Sequence, residues 1–221
     1  MEYSSKQVTA AGLYEQYASE RSTYLREGQE SSKYTLPYLI PETAVSSGRR
    51  TRIKTPYQGI GAAGTNSLAS KLLTGLFPTN IPFFKLVLDQ IKISQQEGGM
   101  EAVTEIDKAL RKVENALMRE IEVSNDRVAM FEALKHLVVG GNVLLYLTDE
   151  GLQVYPLEKY VCKRDPNGNT LEIIIKETIN AKALPESFLK NLQQKAEYTE
   201  DTMEEDLDIY THVKRDGDYF N

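Results

Sequence analysis

One cysteine, Cys162, supplies all the thiol chemistry in this chain of 221 residues. It cannot close an internal disulfide, which excludes a stapled secreted scaffold and fits folding in a reducing cytoplasm. Histidine is nearly as scarce. His136 and His212 have no other residue at metal-ligand or catalytic spacing around them, so the sequence assembles neither a zinc site nor a nucleophile–base pair. No run approaches the roughly 18 uninterrupted apolar residues of a membrane span. Met1-Glu2-Tyr3-Ser4-Ser5 is not followed by the apolar core of a signal peptide. No Walker motif is present, so any ATP-driven step is expected to belong to another protein. Excess positive charge is missing too. The formal net charge is −6, the wrong sign for a protein whose main task is gripping phosphates. What remains, 41% hydrophobic and 26% charged, is the composition of an ordinary globular chain, long enough for one substantial domain or two small ones.

The stretch Thr55-Pro56-Tyr57-Gln58-Gly59-Ile60-Gly61-Ala62-Ala63-Gly64 carries the G-x-G-x-x-G spacing of a dinucleotide-binding turn. That fingerprint works only after a strand, where the glycines turn the chain and the next helix points its N-terminus at a pyrophosphate. Here Thr55-Pro56 reads instead as a helix start, because proline at the first helical position gives up an amide that had no partner. Ile60, Leu68, Leu72 and Leu76 then recur at multiples of four, the spacing of one helical face. The reading is a buried helix over 56–77, stopped by Pro78. Its glycines each cost roughly 1 kcal/mol against alanine, with close approach of a neighbouring helix or backbone as the expected return.

Around this rod, periodicity and turn residues predict the other elements. A first helix is expected from about Ser5 to Glu27, with a thin apolar stripe at Ala10, Leu13, Tyr17 and Tyr24 suited to a partner surface. Residues 34–41, holding Pro37 and Pro41, should be extended. Pro82 to Asp89 reads as a strand. The clearest periodic signal runs from Gln96 to Val123, about 40 Å of helix at 1.5 Å per residue, with Val103, Ile106, Leu110, Val113, Leu117 and Ile121 on one face and Glu114 among the charges opposite. A break at Ser124-Asn125-Asp126 should lead into a largely buried helix over 127–139, ended by Gly140-Gly141 in the left-handed conformation. Val143 to Leu147 is apolar on both faces, which suits a central strand, and it turns back into Leu152–Tyr155. A second hairpin pairs Tyr160–Arg164 with Leu171–Lys176 across Pro166-Asn167-Gly168-Asn169. A short helix over 184–196, an acidic linker over 197–208 and a strand over 207–214 follow. Past the turn at Arg215–Asp218, only Tyr219, Phe220 and Asn221 remain to pair. So short a return arm is marginal in water, and its simplest explanation is a polypeptide that stops mid-domain.

The residues with chemical potential each have a plain structural reading. His136 is expected on the polar edge of its helix, beside Glu132 and Lys135, as a structural histidine. Cys162 sits next to Lys163 and Arg164, which would lower its pKa, but no base accompanies it. Asp165, Asn167 and Asn169 mimic the start of a calcium loop, yet Thr170 and Lys176 stand where glycine and glutamate are needed. The acidic run at Asp201, Glu204, Glu205 and Asp206 has no glycine turn to shape a site. Residues 42–54 read as a flexible loop holding Arg49, Arg50, Arg52 and Lys54, either solvated or in contact with DNA or an acidic partner.

Three stretches also carry a resemblance. They are Thr55-Pro56-Tyr57-Gln58 with Leu68-Ala69-Ser70-Lys71-Leu72 and Leu76-Phe77-Pro78; Phe131 through Leu147; and Tyr160–Asp165 with Asp208–His212. In this order they resemble the portal (head-to-tail connector) proteins of short-tailed, T7-like bacteriophages, whose chains are much longer. The resemblance implies the N-terminal part of a structural, non-enzymatic subunit with no cofactor and no bound metal. It implies an α+β fold, long helices packed with a small antiparallel or mixed hairpin sheet, forming the outer wing of the portal. In the corresponding division, 1–41 is an N-terminal helix and extended segment, 42–54 the basic loop, and 55–221 the wing, truncated at its C-terminal end. It further implies a homo-oligomeric ring, a dodecamer, at the capsid portal vertex of the virion, assembled in the host cytoplasm. The implied partners are the major capsid protein, scaffold, terminase motor, tail or adaptor proteins, and the double-stranded DNA that passes through during packaging and ejection. A mildly acidic subunit suits a channel that must not hold its DNA. The competing reading is a nucleic-acid-binding module built on Arg49, Arg50, Arg52 and Lys54; a hydrolase would need an activated nucleophile that the sequence lacks.

Overall fold

In a computed structural model of the chain, the described residues are 9–42, 53, 55–79, 81–87, 99–149, 151–184, 206–216 and 219–220. They form an α+β fold of five helices and two small sheets. The chain divides into two compact units: one joins Met1–Tyr57 to Tyr155–Asn221, and the other is Gln58–Val154. The first unit is therefore discontinuous in sequence, with the N-terminal helices clustered beside the C-terminal strands.

The first unit begins with α1 (Ala10–Glu20), whose N-cap Thr9 accepts a hydrogen bond from the Gly12 amide, and α2 (Ser22–Tyr34). The single helix expected to Glu27 is thus interrupted at Arg21 and continues to Tyr34. The interruption is shallow, since Arg21 N still donates to Tyr17 O and Leu25 N to Arg21 O. The residues after α2 are not extended. Leu39 N donates to Leu36 O, and the buried Ser32 hydroxyl donates to Leu36 O while accepting from Ile40 N. The tight turn lets Leu36, Leu39 and Ile40 bury their side chains, and that burial stabilises it.

Strands β3 (Tyr160–Arg164), β4 (Thr170–Asn180), β5 (Asp206–Asp216) and β6 (Tyr219–Phe220) form a sheet in that order, with antiparallel neighbours. The β3–β4 hairpin forms where the Asn-Gly turn was expected, with Gly168 at φ 87°. Strand β4 runs four residues further than expected, because Glu177–Asn180 pair with Asp206–Ile209 of β5. Asp206 to Asp208 are accordingly strand and not linker. Helix α1 lies on this sheet, and Tyr14, Val161 and Ile174 make the core beneath it with Tyr17 and Tyr210 at its margin. The expected helix over 184–196 falls, past Leu184, outside the described residues, as does the acidic run through Glu205.

The second unit contains α3 (Ile60–Leu76), α4 (Gly99–Val123) and α5 (Asp126–Gly140), with β1 (Leu144–Thr148) paired to β2 (Gly151–Tyr155), whose last residue falls in the first unit. Helix α5 ends at Gly141 with φ 71°, the left-handed cap read from the sequence. At the β1–β2 turn glycine is required twice over: Gly151 has φ 122°, and a Cβ there would meet Asp126 Oδ1 at 3.0 Å.

Several expectations in this unit are corrected. Helix α3 starts at Ile60, with Gly59 as its N-cap, because the helical hydrogen bonds begin at Ala63 N to Gly59 O. It is not buried on its large residues. Ile60 is 78% exposed and Leu68 and Leu76 are exposed, whereas Thr65 and Ala69 are buried, on the helix that packs against α5. Small residues allow the closer helix contact. Among the described side chains of α4, Glu114 and Met118 are buried, with Val113 and Leu117 exposed. Burial of Glu114 is tolerated because its Oε1 accepts the Leu86 amide at 2.6 Å. Of the strand expected over Pro82 to Asp89, the described residues 82–87 form none and spend the Leu86 amide on a side chain, while 88 and 89 lie outside the described residues. Strand β1 is not central: it belongs to a two-stranded sheet and exposes Leu145, Tyr146 and Leu147. In α5, Ala133, Leu134, His136 and Val139 are buried, but Val128 and Leu137 are exposed.

A Cβ on Gly64 or Gly75 would meet nothing within 4 Å, so close approach does not explain these glycines. Gly64→Ala is therefore expected to stabilise the chain by about 0.5–1 kcal/mol through helix propensity alone. A rise in the urea midpoint at unchanged slope checks this; a fall would show that the residue meets a neighbour.

Candidate interaction sites

The most connected polar side chain among the described residues is Arg21, at the junction of α1 and α2. Its Nη1 donates to the carbonyls of Leu157 and Tyr160, and its Nη2 donates to Glu158 O at 3.0 Å and to the Tyr14 hydroxyl at 3.5 Å. Tyr14 in turn donates to Glu158 O at 2.9 Å. These carbonyls belong to a 3₁₀ turn, Leu157–Lys159, and the first residue of β3. A guanidinium presents five donors in a fixed fork, and here it meets two carbonyls of the turn and that of Tyr160 at the start of β3. Burial raises the Glu158 carboxyl and pushes the Tyr160 phenol up to about 12. The cluster fixes backbone and contains no activated nucleophile; its chemistry is structural. Nothing in the local sequence marks Arg21, which looks like one more charge on a solvated helix face.

A second polar chain crosses the sheet. Tyr17 donates to Glu172 Oε2 at 3.4 Å, and His212 Nε2 lies 3.3 Å from the same oxygen. Exposed Lys163 reaches Glu20 Oε2 at 2.7 Å, a surface pair that solvent screens. Cys162 is half-buried in β3, its Sγ 3.8 Å from Thr170 Oγ1. Asp165, Asn167 and Asn169 make a hairpin turn: Asp165 accepts both the Asn169 amide at 2.7 Å and its side-chain Nδ2 at 2.9 Å. Among the described residues no group of three or more His, Cys, Asp or Glu could hold a metal, and no helix is long and apolar enough to cross a membrane.

His136 departs from its expected place on the polar edge. It is 4% exposed, with Nε2 4.0 Å from Glu132 Oε1 and Nδ1 buried without a hydrogen-bond partner among the described residues. The reason is packing: His136 follows Ala133 by three positions on the face α5 turns inward. The glycines of the 59–64 stretch follow described residues, 55–58, that hold no strand, so the context of a dinucleotide turn is not met. Arg49, Arg50, Arg52 and Lys54 lie outside the described residues.

Polar networks that fix backbone and exposed apolar side chains are what the described residues present. The chain matches the family of bacteriophage head to tail connecting proteins over residues 7–220, and it belongs to that family. It is 37% identical over 215 residues to the portal protein of Escherichia phage T7, covering 95% of this chain and 39% of the relative. The portal protein of Enterobacteria phage T3 is 37% identical over 218 residues, 95% and 40% of the two chains. That of Pseudomonas phage phiKMV is 31% identical over 216 residues, 94% and 40%. The chain thus spans about two fifths of the length of these relatives.

Desolvation lowers the pKa of His136 below its ordinary 6.5, outweighing the attraction of Glu132. The folded protein then refuses a proton that the unfolded chain accepts. Stability from this group is complete above about pH 6.5 and is lost as pH falls from there toward the folded-state pKa. The slope is expected to reach at most about 1.4 kcal/mol per pH unit, and His136→Phe should flatten it. Urea unfolding at several pH values with both proteins is the check; an unchanged slope in the variant would contradict the assignment.

Proposed function

We propose that this polypeptide is the N-terminal part of a phage portal subunit, a structural protein of the capsid vertex that does no chemistry of its own. The observation that carries the reading is the near end-to-end match, over 95% of the chain, to proteins named as portal proteins. In this reading the α+β region is the outer wing of the subunit. Copies close into a homo-oligomeric ring, a dodecamer, and double-stranded DNA passes through its channel during packaging and ejection. The ring seats against the major capsid protein and scaffold, docks a terminase motor, and later receives tail or adaptor proteins. Assembly takes place in the host cytoplasm and the product resides in the virion. Arg49, Arg50, Arg52 and Lys54 are assigned to contact with DNA or an acidic partner.

Physical support comes from the surface. Ile60, Leu68 and Leu76 on α3, Val113 and Leu117 on α4, and Leu145, Tyr146 and Leu147 on β1 are all exposed. Apolar exposure on this scale marks surfaces that other polypeptide covers.

Native mass spectrometry of the portal-length polypeptide at micromolar concentration is expected to show closed rings of about twelve copies, the number that the family resemblance implies; closure is what a repeated head-to-tail interface requires. Monomers alone under these conditions would overturn the proposal.

A further inference from the structure

The unit formed by residues 58–154 contains a cavity of about 640 Å³. Its apolar wall includes Phe77, Phe83, Leu117, Met118, Met130 and Leu147. The wall is held in place. Arg127 Nη1 donates to Phe77 O at 2.6 Å, Asp126 Oδ1 accepts the Leu152 amide at 2.8 Å, and the Phe77 and Phe83 rings meet edge to face at 5.0 Å. Met118 is buried behind them, while Phe83, Leu117 and Leu147 stand 38%, 44% and 73% exposed. Water therefore covers large apolar side chains around a preformed hollow, a configuration that favours a binding partner.

The charge at the lining limits what that partner is. Glu120, Glu122 and Asp126 line the cavity against a single cation, Arg127, which is already directed at the Phe77 carbonyl. An acidic segment would meet three carboxylates, whereas Lys or Arg beside the apolar contact would be drawn in. The volume falls in the range of about 300–1,000 Å³ that takes a whole ligand, enough for two or three large side chains. Such side chains stand about 5–6 Å apart when they occupy positions i, i+3 and i+4 of a helix. The two methionines add a lining that adapts to the shape of its occupant.

We infer that this cavity is a docking site for a basic amphipathic helix of another polypeptide, which inserts two or three large apolar side chains and sets flanking Lys or Arg against Glu120 and Glu122. The site is distinct from ring closure in its recognition rule, an apolar anchor with positive flanks, and it stands on the second unit alone.

The test uses the 221-residue chain and two labelled synthetic helical peptides with the same leucine face, one flanked by lysines and the other by glutamates. Fluorescence anisotropy at low salt should show the lysine peptide binding about tenfold or more tightly than its glutamate twin, with the gap shrinking at high salt. Leu147→Asp should weaken both peptides by about tenfold or more. The double variant Glu120→Lys, Glu122→Lys should reverse the preference. All three residues are exposed, and unchanged circular dichroism would show that the fold persists. Equal affinity of the two peptides, or no effect of Leu147→Asp, would overturn the inference. So would a cavity that takes indole, seen in methyl chemical shifts of Met118 and Met130, while binding neither peptide.

Discussion

The fork of Arg21 is the contact on which the first unit depends. One side chain, on the hinge between two helices, satisfies three backbone carbonyls at Leu157, Glu158 and Tyr160, well over a hundred residues away in sequence. Buried carbonyls without partners each cost about 1–3 kcal/mol, and those of Leu157 and Glu158 lie in a 3₁₀ turn and not in a strand. Arg21 supplies what a ladder would have supplied elsewhere. Tyr14 completes the arrangement from one side, and the Tyr14–Val161–Ile174 core closes over it. Local helix, remote turn and sheet are in this way parts of one structure, although the chain leaves them to build an entire second unit in between.

That second unit follows another logic. Its helices meet through small residues, Thr65 and Ala69 of α3 facing α5, and its large apolar residues point elsewhere. A buried glutamate, Glu114, holds the irregular segment 81–87 by an amide instead of a strand partner. On the proposed portal reading the division makes sense. A subunit that must be pressed between neighbours keeps its bulkiest side chains for them and fills its own narrow interface with small ones. Membership of the head to tail connector family rests on sequence; the surface gives it a physical counterpart.

Much of the architecture was legible in the sequence for identifiable reasons. The Asn167-Gly168 turn, the left-handed Gly141 and the break at Ser124-Asn125 are local chemistry, and each stands where turn and cap rules put it. The α+β class follows from these signals taken together. What failed was the step from periodicity to burial. The spacing of Ile60, Leu68 and Leu76, or of Val113 and Leu117, correctly announces helices. It does not say whether the apolar face turns toward this chain or toward another. The apolar run in β1 misled for the same reason. His136 and Glu114 were placed on polar faces by residue type, but His136 lies on the inward face of α5 and Glu114 is turned inward by the Leu86 amide it accepts. Arg21 was the hardest to find: its role lies in where residues 157–160 leave their carbonyls, and no pattern near position 21 records that.

Native-state hydrogen exchange tests the central claim directly, by asking whether α1 and the sheet open as one body. The amides of Tyr14 and Tyr17 and those of Val161 and Ile174 are expected to share one opening free energy. Arg21→Met should lower both sets together, by about 2–4 kcal/mol for the lost charged hydrogen bonds and the carbonyls left bare. Exchange of the α1 amides at far lower free energy than the sheet, or a sheet unmoved by Arg21→Met, would contradict the account.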